Sequence, residues 1–103
     1  MKPYTEMFFN SHHTVPENSY LVGAGFYSQV IYRNILNPEN IIGIVDNDVT
    51  KQGKLFYNTH FIIQPFSVLK DATCAIVMKD KYWTDEVVRM IRDIKPDLFI
   101  HYL

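Results

Sequence analysis

A single cysteine, Cys74, occurs in the whole sequence, so no intramolecular disulfide braces the fold. It lies in the apolar run Ala72–Met78, where a buried, inert thiol is expected, and a reducing cytoplasm fits this usage. No stretch approaches ~18 apolar residues, so no membrane-spanning helix is predicted. Met1 to Phe9 lacks the apolar segment of a secretion signal. Basic excess is missing too, with ten Lys and Arg against eleven Asp and Glu. Without concentrated positive charge there is no drive toward nucleic acid or a membrane surface. The histidines fall at 12, 13, 60 and 101, a scatter that does not supply zinc-ligand spacing. Neither a Ser/His/Asp elbow, a Walker lysine nor a Tyr-x-x-x-Lys pair is present. The expectation is a protein that is not catalytic on its own. A length of 103 residues holds one domain, with no room for separate cofactor and substrate domains. Any catalysis would draw on another chain, a second copy or the rest of a longer protein.

What is there reads as an ordinary globular core, 48% hydrophobic and 20% charged, with an aromatic share of 15% that is high. Residues 1–18 differ in character. They are rich in Pro, Asn, Ser and His around an apolar knot at Met7-Phe8-Phe9, and read as an N-terminal extension with one short helix over Thr5–Phe9. An exposed Phe8-Phe9 pair is costly, so the extension is expected to pack on the domain or on a partner. From residue 19 to 103 the periodicity alternates. Tyr20–Val22, Ile41–Val45, Phe61–Ile63, Ala72–Met78 and Leu98–Ile100 are short apolar runs that read as buried strands. Tyr27–Leu36 and Thr84–Ile94 carry apolar residues at helical spacing. The second has Asp85 and Glu86 at its start, Arg92 and Lys95 at its end, and Pro96 beyond, as the helix dipole and proline's missing N–H favour. Phe66–Lys70 reads as one helical turn. Strands alternating with helices predict a small doubly wound parallel sheet of the Rossmann-like α/β class. The simplest topology has five strands in the order 3-2-1-4-5.

The most informative segment is Gly23-Ala24-Gly25-Phe26-Tyr27-Ser28, which follows a strand and opens a helix, as a dinucleotide fingerprint requires. Gly23 permits the tight turn, Gly25 lets a phosphate approach the backbone, and Ser28 stands where the third glycine would be. The serine is small enough to pack helix against strand, and its hydroxyl is within reach of a phosphate. Free N–H groups at the helix start supply the anion site. The plainer reading is that any parallel domain needs a glycine-rich turn here. Asp46, 23 residues after Gly23 and at the tip of the second strand, is placed to accept hydrogen bonds from a ribose diol. Asp48 is an alternative, Asn47 lies between them, and the opposing reading makes the trio a solvated turn that satisfies its own backbone. In the predicted order, the loop Lys79-Asp80-Lys81-Tyr82-Trp83 faces the glycine turn. Lys79 or Lys81 could neutralise a phosphate, and Tyr82 or Trp83 could stack on a base; for Trp83 a packed hydrophobic staple is the preferred reading. The candidate binding set is Gly23, Gly25, Phe26, Ser28, Asp46, Asn47, Lys79 and Lys81.

These blocks, with Lys51-Gln52-Gly53-Lys54 and Asn58-Thr59-His60-Phe61-Ile62-Ile63-Gln64-Pro65, resemble small Rossmann-like domains of bacterial sugar metabolism. Two such domains are the C-terminal domain of sugar C-methyltransferases, with D-x-N-x-x-K-x-G and then G-T-x-I-P-I, and the N-terminal nucleotide-sugar-binding domain of sugar acetyltransferases, with a G-x-x-D-D-N block. The likeness covers about residues 20–102. Asn58 replaces a glycine and Ile62 a proline of the first pattern; asparagine tolerates positive φ, so the turn survives. The resemblance implies a nucleotide or nucleotide-sugar at the glycine turn with Asp46 near the ribose or base. It does not imply S-adenosylmethionine, because Ser19–Val22 carries no acid. Two functions follow as expectations. One is a nucleotide or nucleotide-sugar binding domain, with an NAD-type dinucleotide as a weaker choice, serving as a subunit or fragment of a sugar-modifying enzyme. The alternative is a ligand-free Rossmann-like scaffold for homo-oligomer or partner assembly through the N-terminal extension.

Overall fold

A computed structural model describes residues 12–79 and 83–103. The expected Thr5–Phe9 helix, the Phe8-Phe9 packing, Lys81 and Tyr82 lie outside the described residues. Four strands form one parallel sheet: β1 (Ser19–Val22), β2 (Ile41–Val45), β3 (Cys74–Val77) and β4 (Phe99–Tyr102), in the order β2-β1-β3-β4. Helix α1 (Phe26–Arg33) connects β1 to β2, and α2 (Thr84–Ile94) connects β3 to β4. Short 3-10 helices at Pro38–Asn40 and Phe66–Asp71 precede β2 and β3.

β1 and β3 alternate their side chains between two cores, to which β2 and β4 also contribute. Leu21, Ile44 and Ile76 join Ile31 and Ile35 on the α1 face. Val22, Val45, Ala75, Val77 and Ile100 join Leu69, Ile91 and Leu98 on the α2 face. Burial on both faces explains why β1 and β3 read as continuous apolar runs. Because α1 and α2 cover opposite faces, the chain winds outward in both directions from β1 and β3, and a crevice opens at their carboxyl ends.

The fifth strand is a correction. Phe61–Ile63 does not join the sheet; its backbone pairs with the turn before it. The Ile63 N–H donates to Lys54 O, the Phe56 N–H to Phe61 O and the Gly53 N–H to Ile63 O, each at 2.8 Å. Only Gln64 reaches β2, through its N–H to Ile44 O at 2.9 Å and from the Asp46 N–H at 3.0 Å. Pro65, with no N–H, follows at once. The predicted order 3-2-1-4-5 thus loses its edge strand, leaving a four-stranded sheet. The positive φ expected at Asn58 falls instead on Tyr57, at 42°.

Helix α1 stops short of the predicted Leu36. Asn34 caps it, its side-chain amide donating to Val30 O at 2.8 Å, and Ile35 turns away to pair with His13. Residues 12–18 are bound into the body. Val15 is buried in the α1-face core, and its carbonyl accepts from Asn37 Nδ2 at 2.8 Å and Asn40 Nδ2 at 2.9 Å. Among the described residues no helix is long and apolar enough to cross a membrane.

Candidate functional site

The crevice beyond β1 and β3 is a cavity of about 560 Å³. Val22, Val77, Met78, Phe66 and Val87 give it an apolar lining. Phe26, Tyr27 and Trp83, which are 57%, 44% and 64% exposed, line it as well. Phe26 and Tyr27 meet edge to face, 5.8 Å between centroids. Trp83 is exposed at the start of α2 and is not a packed staple. A half-solvated aromatic ring offers a planar ligand a large contact area at little entropic cost.

The two glycines have different reasons to be glycine. Gly23 has φ +104°, and a Cβ there would sit 3.1 Å from Ser28 Oγ. The tight turn therefore requires glycine both by dihedral and by space. Gly25 is the N-cap of α1 with φ −90° and ψ −168°, a region open to any residue. A Cβ on Gly25 would meet only Lys51 Nζ, at 3.8 Å, an ordinary contact. Neither backbone nor neighbours demand glycine at 25, and α1 has no side-chain cap. The first turn of a helix leaves N–H groups without intrahelical partners. Here the residues of that turn, Phe26 to Ser28, line the crevice.

Ser28 is 1% exposed and packs beneath Gly23, so it serves helix–turn packing. Asp46 lies in the crevice, but both its oxygens serve the main chain. The Ala24 N–H donates to Oδ2 and the Asp48 N–H to Oδ1, each at 2.8 Å. The tip of β2 thereby clamps the glycine turn after β1, reinforced by the Gly23 N–H to Val45 O at 2.7 Å. Asp46 is thus a brace for the loop. Asp48 Oδ1 accepts from the Thr50 hydroxyl at 2.7 Å and the Thr50 N–H at 2.9 Å. The Thr50 hydroxyl, then its amide, holds the Asp48 carboxyl below its ordinary range. Asn47 and Lys79 are exposed and line the cavity, while the Lys79 N–H is tied to Leu103 O at 2.7 Å.

The structure therefore brings Gly23, Gly25, Phe26, Ser28, Asp46, Asn47 and Lys79 around one crevice. It adds residues the sequence reading did not single out: Tyr27, Phe66, Met78 and Lys51. The first three follow from packing. Lys51 had a visible signal, since it sits five residues after Asp46 in a turn, but only the fold brings its ammonium within 3.9 Å of Asp46 Oδ2. Among the described residues no group of three or more His, Cys, Asp and Glu side chains could hold a metal ion. Searches against protein-family models and against curated proteins find no match to this chain.

Proposed function

We propose that the crevice between β1 and β3 binds a nucleotide or nucleotide-sugar, and that the chain serves as a binding domain or subunit of a sugar-modifying enzyme. One observation carries the reading. The α1 N-cap is a glycine that neither backbone nor neighbours require, and it faces an apolar cavity lined by exposed aromatic rings. A Ser, Thr, Asp or Asn at that position would cap the helix better. With no side-chain cap at Gly25, the start of α1 suits an anion, as phosphate-binding turns do. The apolar lining and exposed rings then suit a base or sugar, and Asp46 supports the turn that presents the amides.

The test is thermal unfolding of the protein with UDP-, GDP- and CDP-sugars and with NAD. A ligand at one hundred times its Kd adds about 2.7 kcal/mol to stability, which shifts the midpoint by several degrees. A rise with at least one of these supports the reading, and an unchanged midpoint with all of them at millimolar concentration refutes it.

Edge strand β4 favours a second reading, a scaffold for assembly. Phe99 and Tyr102 on it are 57% and 42% exposed, and among the described residues no strand pairs with its outer side. Sedimentation separates the readings: a dimer dispersed by Phe99→Ser, in a protein with no nucleotide response, supports the scaffold.

A further inference from the structure

Resting on the nucleotide reading above, we infer that Lys51 is the anion-binding residue of the crevice, and that it leaves Asp46 for the ligand's phosphate when the site fills. Four observations converge on it. Its ammonium stands 3.8 Å from where a Cβ on Gly25 would be, at the N-cap of α1. Its pairing with Asp46 Oδ2 is 3.9 Å long, at the outer limit of an ion pair, and that oxygen already accepts the Ala24 N–H at 2.8 Å. The side chain is 43% exposed, so it is free to move. Its backbone, in contrast, is fixed. The Lys51 N–H donates to Asp48 O at 3.0 Å, Asp48 is locked by Thr50, and the neighbouring Gln52 Nε2 donates to Asp46 O at 2.9 Å. A mobile cation on an anchored turn, held loosely by a carboxylate with better partners, is poised to exchange that partner for a phosphate.

Charge makes Lys51 necessary. Asp46 and Asp48 both line the crevice, and an anion beside Gly25 approaches their negative charge. The helix terminus contributes only about half a positive charge. Without Lys51 the phosphate meets an uncompensated Asp46. Lys79 lines the same cavity from the end of β3 but has no comparable approach to Gly25. The inference thus moves the phosphate-neutralising role from the Lys79–Lys81 loop to the turn after β2. It also sets the ligand's direction, phosphate toward Gly25 and Lys51, and ring toward Phe26 and Trp83.

The test compares wild type, Lys51→Met, Lys51→Arg and Lys79→Met by calorimetric titration. The probes are UDP, ADP, GDP and CDP and the four matching nucleosides. A pair 3.9 Å long whose lysine is 43% exposed adds little stability, so Lys51→Met keeps its fold, and its thermal midpoint verifies this. For the diphosphate that wild type binds, Lys51→Met is expected to lose at least ~10-fold in affinity, the loss of a charge-assisted hydrogen bond. Nucleoside affinity stays within about twofold, Lys51→Arg retains most of the binding, and salt dependence weakens in Lys51→Met alone. If wild type binds a diphosphate and Lys51→Met binds it equally well, or if Lys79→Met loses more, the Lys51 assignment falls and the nucleotide reading stands. If wild type binds none of the eight probes, both fall.

Discussion

Two glycines two residues apart should respond to substitution with opposite signs, and this pair separates folding from binding in the glycine turn. At Gly25 the backbone is already extended and a Cβ has room, with its nearest neighbour 3.8 Å away. Gly25→Ser removes a glycine's conformational freedom from the unfolded chain, worth about 0.4–1 kcal/mol. It also adds an N-cap hydroxyl, worth a few tenths of a kcal/mol over glycine. The sum is a stabilisation of roughly 1 kcal/mol, a rise of about 5 °C in Tm for a domain of this size. The same hydroxyl satisfies an amide at the start of α1 and fills the approach to it, so nucleotide affinity should fall as stability rises. At Gly23 the arithmetic reverses. A φ of +104° is strained for any L side chain, and the new Cβ would press to 3.1 Å on Ser28 Oγ, which is fully buried. Backbone strain of this kind costs about 1–3 kcal/mol, so Gly23→Ala should lower Tm by roughly 5–15 °C. Urea and thermal unfolding of both variants, with nucleotide titration of Gly25→Ser, test the pair. Destabilisation by Gly25→Ser comparable to that by Gly23→Ala would show that position 25 is structurally constrained, and the argument for an open anion site would collapse.

Asp46→Asn keeps one oxygen acceptor and turns an NH2 toward the N–H of Ala24 or Asp48, so one of those amides loses its partner; a loss of about 1–2 kcal/mol is expected from the urea midpoint. An unchanged midpoint would mean that Asp46 does not brace the turn. Burial holds the His13 imidazole below its ordinary value of 6.5, with His12 and His101 adding to the effect, and its buried Nε2 has no hydrogen-bond partner among the described residues. The unfolded chain takes up a proton near pH 6.5 and the folded one only lower, so this contribution is complete above pH 6.5 and is lost as pH falls from there through the lower folded value. Urea midpoints at pH 7 and pH 5 should therefore differ less in His13→Gln than in wild type; equal differences would refute the assignment. Cys74 is 3% exposed and burial pushes its thiol up, so a thiol reagent should modify it only as the protein unfolds, and rapid labelling of the native protein would contradict that burial.

The local pattern was sufficient wherever burial is two-sided or a cap is explicit. Ile41–Val45 is a β-branched run bounded by turn residues, and it is the observed β2. Thr84–Ile94 has its acidic start, its apolar stripe and Pro96 beyond, and it is the observed α2. Phe61–Ile63 has the same composition as a strand, yet its hydrogen bonds go to the preceding turn. Composition reports which side chains suit an extended chain and not which backbone they pair with.

The sequence alone determined that the chain is an α/β domain, that a glycine turn joins a strand to a helix, and that an acid stands at the tip of the next strand. These follow from periods of two and 3.6 residues and from the dihedrals glycine permits, all of which are local. The tertiary structure decided what those residues do. It sank Ser28 beneath Gly23, bound both oxygens of Asp46 to the main chain, exposed Trp83 at the crevice, and swung Lys51 over Gly25. Each of those outcomes depends on which groups meet across the gap between β1 and its neighbours, and that is fixed only when the sheet assembles.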